Sequence, residues 1–261
     1  QKAIELNPNL GHAYYNLGTI LREFGDIKEA VISYQKAIEM TPNYANAHLN
    51  LGSIFREIGR LQEAEVSTRK VIELKPDYAE AHCNLGMILN DLKKFSEAEI
   101  VTRKAIEYQP DFALAHKNLG TILHNIGNTI EAEISLRKAI ELKPGFAEAY
   151  SNLGRILIDL GNLKEAEITL RQAIKNNSNL IQANIDLAIT LIELGKLEEA
   201  QIYEWNAIKV HPSFKYLKSY RKNVQIIDKT AFYTHDYVIF HHFKPIIDIN
   251  PNSFEILIPD D

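Results

Sequence analysis

The sequence holds a single cysteine, Cys83, in 261 residues, which excludes an internal disulfide and fits a reducing compartment, with the cytoplasm as the expectation. It has no excess of positive charge. Against 34 acidic residues stand 29 basic ones, a net charge of −5, so the field that draws a protein onto nucleic acid is missing and no nucleic acid is expected as the main partner. No apolar run approaches the roughly 20 residues needed to cross a bilayer, and no membrane association is expected. Glycine-rich phosphate loops are missing too, since most of the 12 glycines follow the repeat. Cys83 lacks a recognisable base and orienting acid, so nucleophilic catalysis is not expected of it.

What is there is a period. The stretch from Gly11 to Tyr44 is restated five times at a constant spacing of 34 residues, placing alanine at Ala30, Ala64, Ala98, Ala132, Ala166 and Ala200. Isoleucine recurs in the same way at Ile38, Ile72, Ile106, Ile140, Ile174 and Ile208. A period of this size marks stacked repeats in which each unit contacts mainly its neighbours. Within a unit, Leu17, Ile20, Leu21 and Phe24 recur at helical spacing, and Gly25 follows where a left-handed cap is wanted. A second stripe, Ala30, Tyr34, Ala37 and Ile38, predicts a second helix, which Pro42 keeps from continuing. Gly18 and Ala30 leave room for the two helices to approach closely. The unit is therefore an antiparallel helical hairpin.

Tyr14, Leu17-Gly18, Leu21, Ala30, Tyr34, Ala37 and Pro42 follow the pattern of the tetratricopeptide repeat, which the chain resembles over roughly residues 1 to 214. The resemblance implies an all-α fold, a right-handed superhelical solenoid of helix hairpins. More narrowly, the NLG tripeptides and KAIELKP-like endings are similar to the repeats that precede the catalytic region of O-linked N-acetylglucosamine transferases.

The chain divides into a half repeat at 1–10, six repeats at 11–214, a capping helix at 215–229 and the start of an α/β-like domain at 230–261. Gln1 is not an initiator methionine, and QKAIELNPN matches the second half of a unit, so the sequence reads as a piece of a longer chain. The apolar face left uncovered at that end points to self-association there. Departures from the pattern are few. Lys93 replaces the turn glycine of the third repeat, Ser178 replaces the proline, and Ala188 and Glu204 replace Gly18 and Tyr34 in the sixth, where an altered crossing angle is expected. Four pairs spaced i,i+4, Glu65/Arg69, Glu99/Arg103, Glu133/Arg137 and Glu167/Arg171, read as a solvated outer face.

Binding is expected on the concave side, which the resemblance assigns to the first helices. It places Asn16, Asn50, Asn84, Asn118, Asn152 and the departing Asp186 on one line there. Amides suit an extended peptide because each offers a donor and an acceptor to a backbone that presents both. In the O-linked N-acetylglucosamine transferases an equivalent row binds peptide in this way; the alternative is an asparagine that bonds locally or faces water. Beside the row run Tyr15, Leu49, Cys83, Lys117, Ser151 and Ile185, and then Arg22, Arg56, Asn90, His124, Ile158 and Ile192. That predicts a groove that is cationic near Arg22 and Arg56 and apolar toward the sixth repeat, preferring acidic side chains at its cationic end. His48, His82 and His116 take the place of Tyr14 one repeat apart, too far to share an ion whose ligands lie about 2 Å from it, and a packing role is expected. His235, His241 and His242 lie closer together, but adjacent residues on a strand point oppositely. No metal and no cofactor is implied.

Three functional readings follow. The first is a protein-interaction scaffold holding an extended protein or peptide segment in its groove, with no enzyme activity in this segment. A second is the substrate-recruiting part of a glycosyl- or phosphotransferase whose catalytic residues lie beyond Asp261. The third is a spacer or self-association module.

Overall fold

The computed structural model describes residues 10–210. The half repeat at the start, the capping helix at 215–229, the α/β-like stretch and its histidines lie outside the described residues. Twelve α-helices fill the described range: α1 Leu10–Glu23, α2 Ile27–Met40, α3 Ala45–Glu57, α4 Leu61–Leu74, α5 Ala79–Asp91, α6 Phe95–Tyr108, α7 Ala113–Asn125, α8 Thr129–Leu142, α9 Ala147–Asp159, α10 Leu163–Asn176, α11 Ile181–Glu193 and α12 Leu197–Val210. They pair as six hairpins in sequence order, each packed on the next. No strand occurs among the described residues.

The turn inside each hairpin follows from one residue. Gly59 has φ +78°, its N–H bonds to the Arg56 carbonyl at 3.1 Å, and the Arg60 N–H reaches back to the Phe55 carbonyl at 2.7 Å. This doubly bonded cap satisfies carbonyls that the end of a helix leaves open. Lys93 holds the same geometry with φ 60°, a conformation that costs a residue with a Cβ about 1–2 kcal/mol. The turn between hairpins is closed differently. His48, His82 and His116 each bond through Nε2 to the carbonyl of Pro42, Pro76 and Pro110, at 2.9, 2.8 and 2.9 Å. Because the carbonyl only accepts, Nε2 carries the proton. At the same register in the sixth repeat Asn184 donates to Ser178, where serine has replaced proline, so the bond survives both substitutions.

The core runs along the array between facing helices. Leu51, Ile54 and Phe55 of α3, and their counterparts Leu85, Ile88 and Leu89 of α5, are buried, as are the six repeating alanines. The close approach expected at the repeated glycine is present: a Cβ on Gly120 would stand 2.6 Å from Leu136 Cγ, and one on Gly154 would stand 2.5 Å from Leu170 Cγ. One expectation is corrected. Phe24 is 80 % exposed, and its counterparts Ile58, Ile126 and Leu160 are exposed too, because this position lies at the very end of the helix, beside the left-handed turn. From α3 onward each first helix also touches the first helix of the next hairpin, while second helices approach one another less closely. The first helices therefore form the inner, tighter side of the curve.

The outer side is tied by charge. Arg69 bonds to Glu65 in its own helix at 2.8 Å and to Glu97 in the next repeat at 2.5 Å. Arg103, Arg137 and Arg171 repeat the arrangement with Glu131, Glu165 and Glu199. Burial would raise the Glu65 and Glu167 carboxyls, but hydrogen bonds from Lys94 and Arg69, and from Lys196 and Arg171, outweigh it and hold both below the ordinary value. The i,i+4 pairs legible in the sequence are thus half of a ladder that crosses from repeat to repeat.

Candidate functional site: the inner face

The expected row lies along the seams between successive first helices, and its six members are not equivalent. Asn50 donates to the Tyr34 hydroxyl at 3.1 Å. Asn118 is buried at 3 % exposure, with Nδ2 against Cys83 Sγ at 3.1 Å and Oδ1 without a partner. Asn152 donates to Thr121 Oγ1 at 3.0 Å. Asp186 is buried and paired with Arg155 at 3.2 Å, and it accepts from Gln182 at 2.8 Å. Burial raises its carboxyl above the ordinary value against the pull of that arginine. Asn16 and Asn84 make no side-chain hydrogen bond among the described residues; Asn16 is exposed and Asn84 half-buried.

The expected cationic end is neutralised from within. Arg22 is paired with Glu57, and Arg56 with Asp91 at 2.6 Å, each acid coming from the next first helix. The same step of 35 residues joins Asn125 Nδ2 to Asn90 Oδ1 at 2.7 Å, and His124 to Asp159 at 2.6 Å. This inner ladder escaped the sequence reading, although its signal was there: Glu57, Asp91, Asn125 and Asp159 recur at the repeat period. A guanidinium already matched by a carboxylate offers a peptide less than a free one.

Lys117 differs. It is half-buried beside Cys83, and its ammonium has no hydrogen-bond or ion-pair partner among the described residues. Burial lowers it from the ordinary lysine value, with the Arg56 charge acting in the same direction and Cys83 and Glu148 opposing it. Cys83 is fully buried, and burial pushes its thiol up to about 12, which leaves it protonated and unreactive at neutral pH. Next to this middle section opens a cleft of about 570 Å³, lined by Asp77, Tyr78, Glu80, Asn84, Tyr108 and Phe112 among others. Asn84 belongs to both the row and the cleft.

Models of the tetratricopeptide repeat match residues 1–32 and 101–134, 45–78 and 79–112, and 127–181, and a model described as a TPR repeat matches 18–59. Together they run unbroken over more than half of the sequence. The chain is a tetratricopeptide repeat protein. Among solved structures it is similar to the MamA protein, with 27 % identity over 66 % of this chain and 93 % of that one and a TM-score of 0.55. YrrB, a TPR protein with an unusual peptide-binding site, shares 23 % identity over 73 % of this chain and 98 % of its own, at a TM-score of 0.53. PilF of Pseudomonas aeruginosa shares 18 % over 82 % and 98 %, at a TM-score of 0.69. The latter two likenesses establish the fold. No curated protein matches the chain.

Proposed function

We propose that this tetratricopeptide repeat array is a protein-interaction scaffold that holds an extended segment of a partner along its inner face, centred on the third and fourth repeats. The observation that carries the reading is Asn84. Its amide has no partner among the described residues, and it stands where the row meets the cleft, whereas Asn50, Asn152 and Asp186 on either side are engaged by neighbouring repeats. Lys117, one repeat further on, supplies a half-buried cation that makes no ion pair or hydrogen bond among the described residues and feels Glu148 only through space, so an acidic side chain of the partner belongs there. YrrB, which shares the fold, is itself a TPR protein with a peptide-binding site, which supports the same reading.

A displayed library of random peptides, selected on the whole chain, tests this. Peptides retained by the native chain should bind Asn84→Ala and Lys117→Ala variants more weakly. One net hydrogen bond of about 0.5–1.5 kcal/mol corresponds to a loss of roughly 2- to 12-fold at Asn84. Selection of no peptide, or of peptides indifferent to both substitutions, rejects the groove as the working surface.

A further inference from the structure

Two turns between hairpins share a device that the turn lying between them lacks. Lys75 Nζ lies 5.3 Å from the centroid of the Tyr78 ring, and Lys143 Nζ lies 4.6 Å from that of Phe146. In both, a lysine stands three residues before the aromatic and covers its face. The intervening turn carries Gln109 and Phe112 in the same register, and among the described residues no cation stands over the Phe112 ring. That is where the cleft opens, with Gln109 and Phe112 in its wall.

The rest of the wall is matched to a positive charge. Asp77 and Glu80 line the cleft and no basic residue does. Among the described residues the Asp77 carboxylate has no hydrogen-bond or ion-pair partner, and the Tyr78 hydroxyl donates to Glu80 Oε2 at 2.7 Å, leaving the other oxygen open. Lys75 stands over the Tyr78 ring and is not part of the lining. A cation over an aromatic face is held by the ring quadrupole, and a carboxylate within reach adds to it.

We propose that the cleft between Asp77, Glu80 and the Phe112 ring takes a lysine or arginine side chain of the bound segment, filling the place that Lys75 and Lys143 fill in the adjacent turns. This rests on the groove reading through Asn84, which would hold the backbone of the residue whose side chain enters the cleft. The partner segment then carries a basic residue here and an acidic one at Lys117.

The test follows amide signals of the whole chain by NMR during titration with Nα-acetyl-arginine methylamide, beside its uncharged isostere Nα-acetyl-citrulline methylamide. Saturable shifts at Asn84, Gln109 and Phe112 with the arginine compound alone are expected. The variant Gln109→Lys restores the residue of the adjacent turns, so it keeps the fold while filling the cleft with the chain's own cation. It should weaken arginine binding by roughly fivefold or more, as should Asp77→Asn combined with Glu80→Gln. An equal response to the citrulline compound, or an unchanged affinity in Gln109→Lys, overturns the proposal. Library peptides that depend on Asn84 but share no basic residue overturn it as well while leaving the groove reading intact. Specific arginine shifts without any selected peptide uphold the cation site and reject the groove.

Discussion

Replacing Gly120 by alanine asks whether the repeat is held by the close approach of its two helices. In an open helical position the change is favourable by about 0.5–1 kcal/mol, because glycine gives up more conformational freedom on folding. At 120 the new Cβ would lie 2.6 Å from Leu136 Cγ and 3.1 Å from the Ala132 carbonyl oxygen. Leu136 is fully buried, so it cannot swing into solvent. Overpacking of this kind costs about 1–3 kcal/mol, and the net expectation is destabilisation by about 0.5–2 kcal/mol. Guanidinium unfolding followed by circular dichroism measures it as a lower midpoint at unchanged slope. A second background makes the cause specific. Leu136→Ala alone costs about 2–5 kcal/mol, but it removes the clashing Cγ, so Gly120→Ala added to it should lose most of its penalty. Gly120→Ala that stabilises the native chain, or that costs as much in the Leu136→Ala background as in the native one, refutes the reasoning.

Three further outcomes are expected. Lys93→Gly relieves the left-handed strain at φ 60° and should raise the thermal midpoint by roughly 1–2 °C, the larger entropy of glycine in the unfolded chain offsetting part of the gain. His82→Ala should cost about 1–3 kcal/mol in denaturant unfolding by orphaning the Pro76 carbonyl, whereas His82→Asn should cost less, because Asn184 makes the equivalent bond in the sixth repeat. The Cys83 thiol and Tyr78 hydroxyl are both pushed up to about 12, from ordinary values of 9.0 and 10.0, the first mainly by burial and the second mainly by its bond to Glu80. The unfolded chain therefore ionises first. Their contribution is complete below about pH 9 and is lost as the pH rises toward 12, so denaturation midpoints should fall over that window and fall less in Cys83→Ala.

The hairpins and their order were legible because the period repeats alanine, glycine and proline at fixed places, and each of these has a single geometric use. Lys93 was visible as a replacement for glycine, and the backbone there keeps the glycine conformation. The exposure of Phe24 was not legible, since a periodic stripe does not say where the facing helix stops. The inner row was legible as a line but not as a set of contacts. Whether an asparagine is engaged depends on what the previous repeat presents to it: Tyr34 for Asn50, Thr121 for Asn152 and Arg155 for Asp186. Those partners differ from repeat to repeat, so aligning the row with itself hides them. The inner pairs of Arg22 and Arg56 were missed for a related reason, because each joins two different registers of the repeat, 35 residues apart.

The central claim is that a segment is held on the inner face at Asn84, and the direct measurement is calorimetric titration of one library-selected peptide into three forms of the chain. These are the native chain, Asn84→Ala on the inner row, and Arg137→Ala on the outer ladder, which removes two exposed ion pairs each worth less than about 1 kcal/mol to the fold. The account predicts affinity lowered roughly 2- to 12-fold by Asn84→Ala and unchanged by Arg137→Ala. Affinity that is unaffected at Asn84 and lost at Arg137 would place binding on the outer face and contradict it.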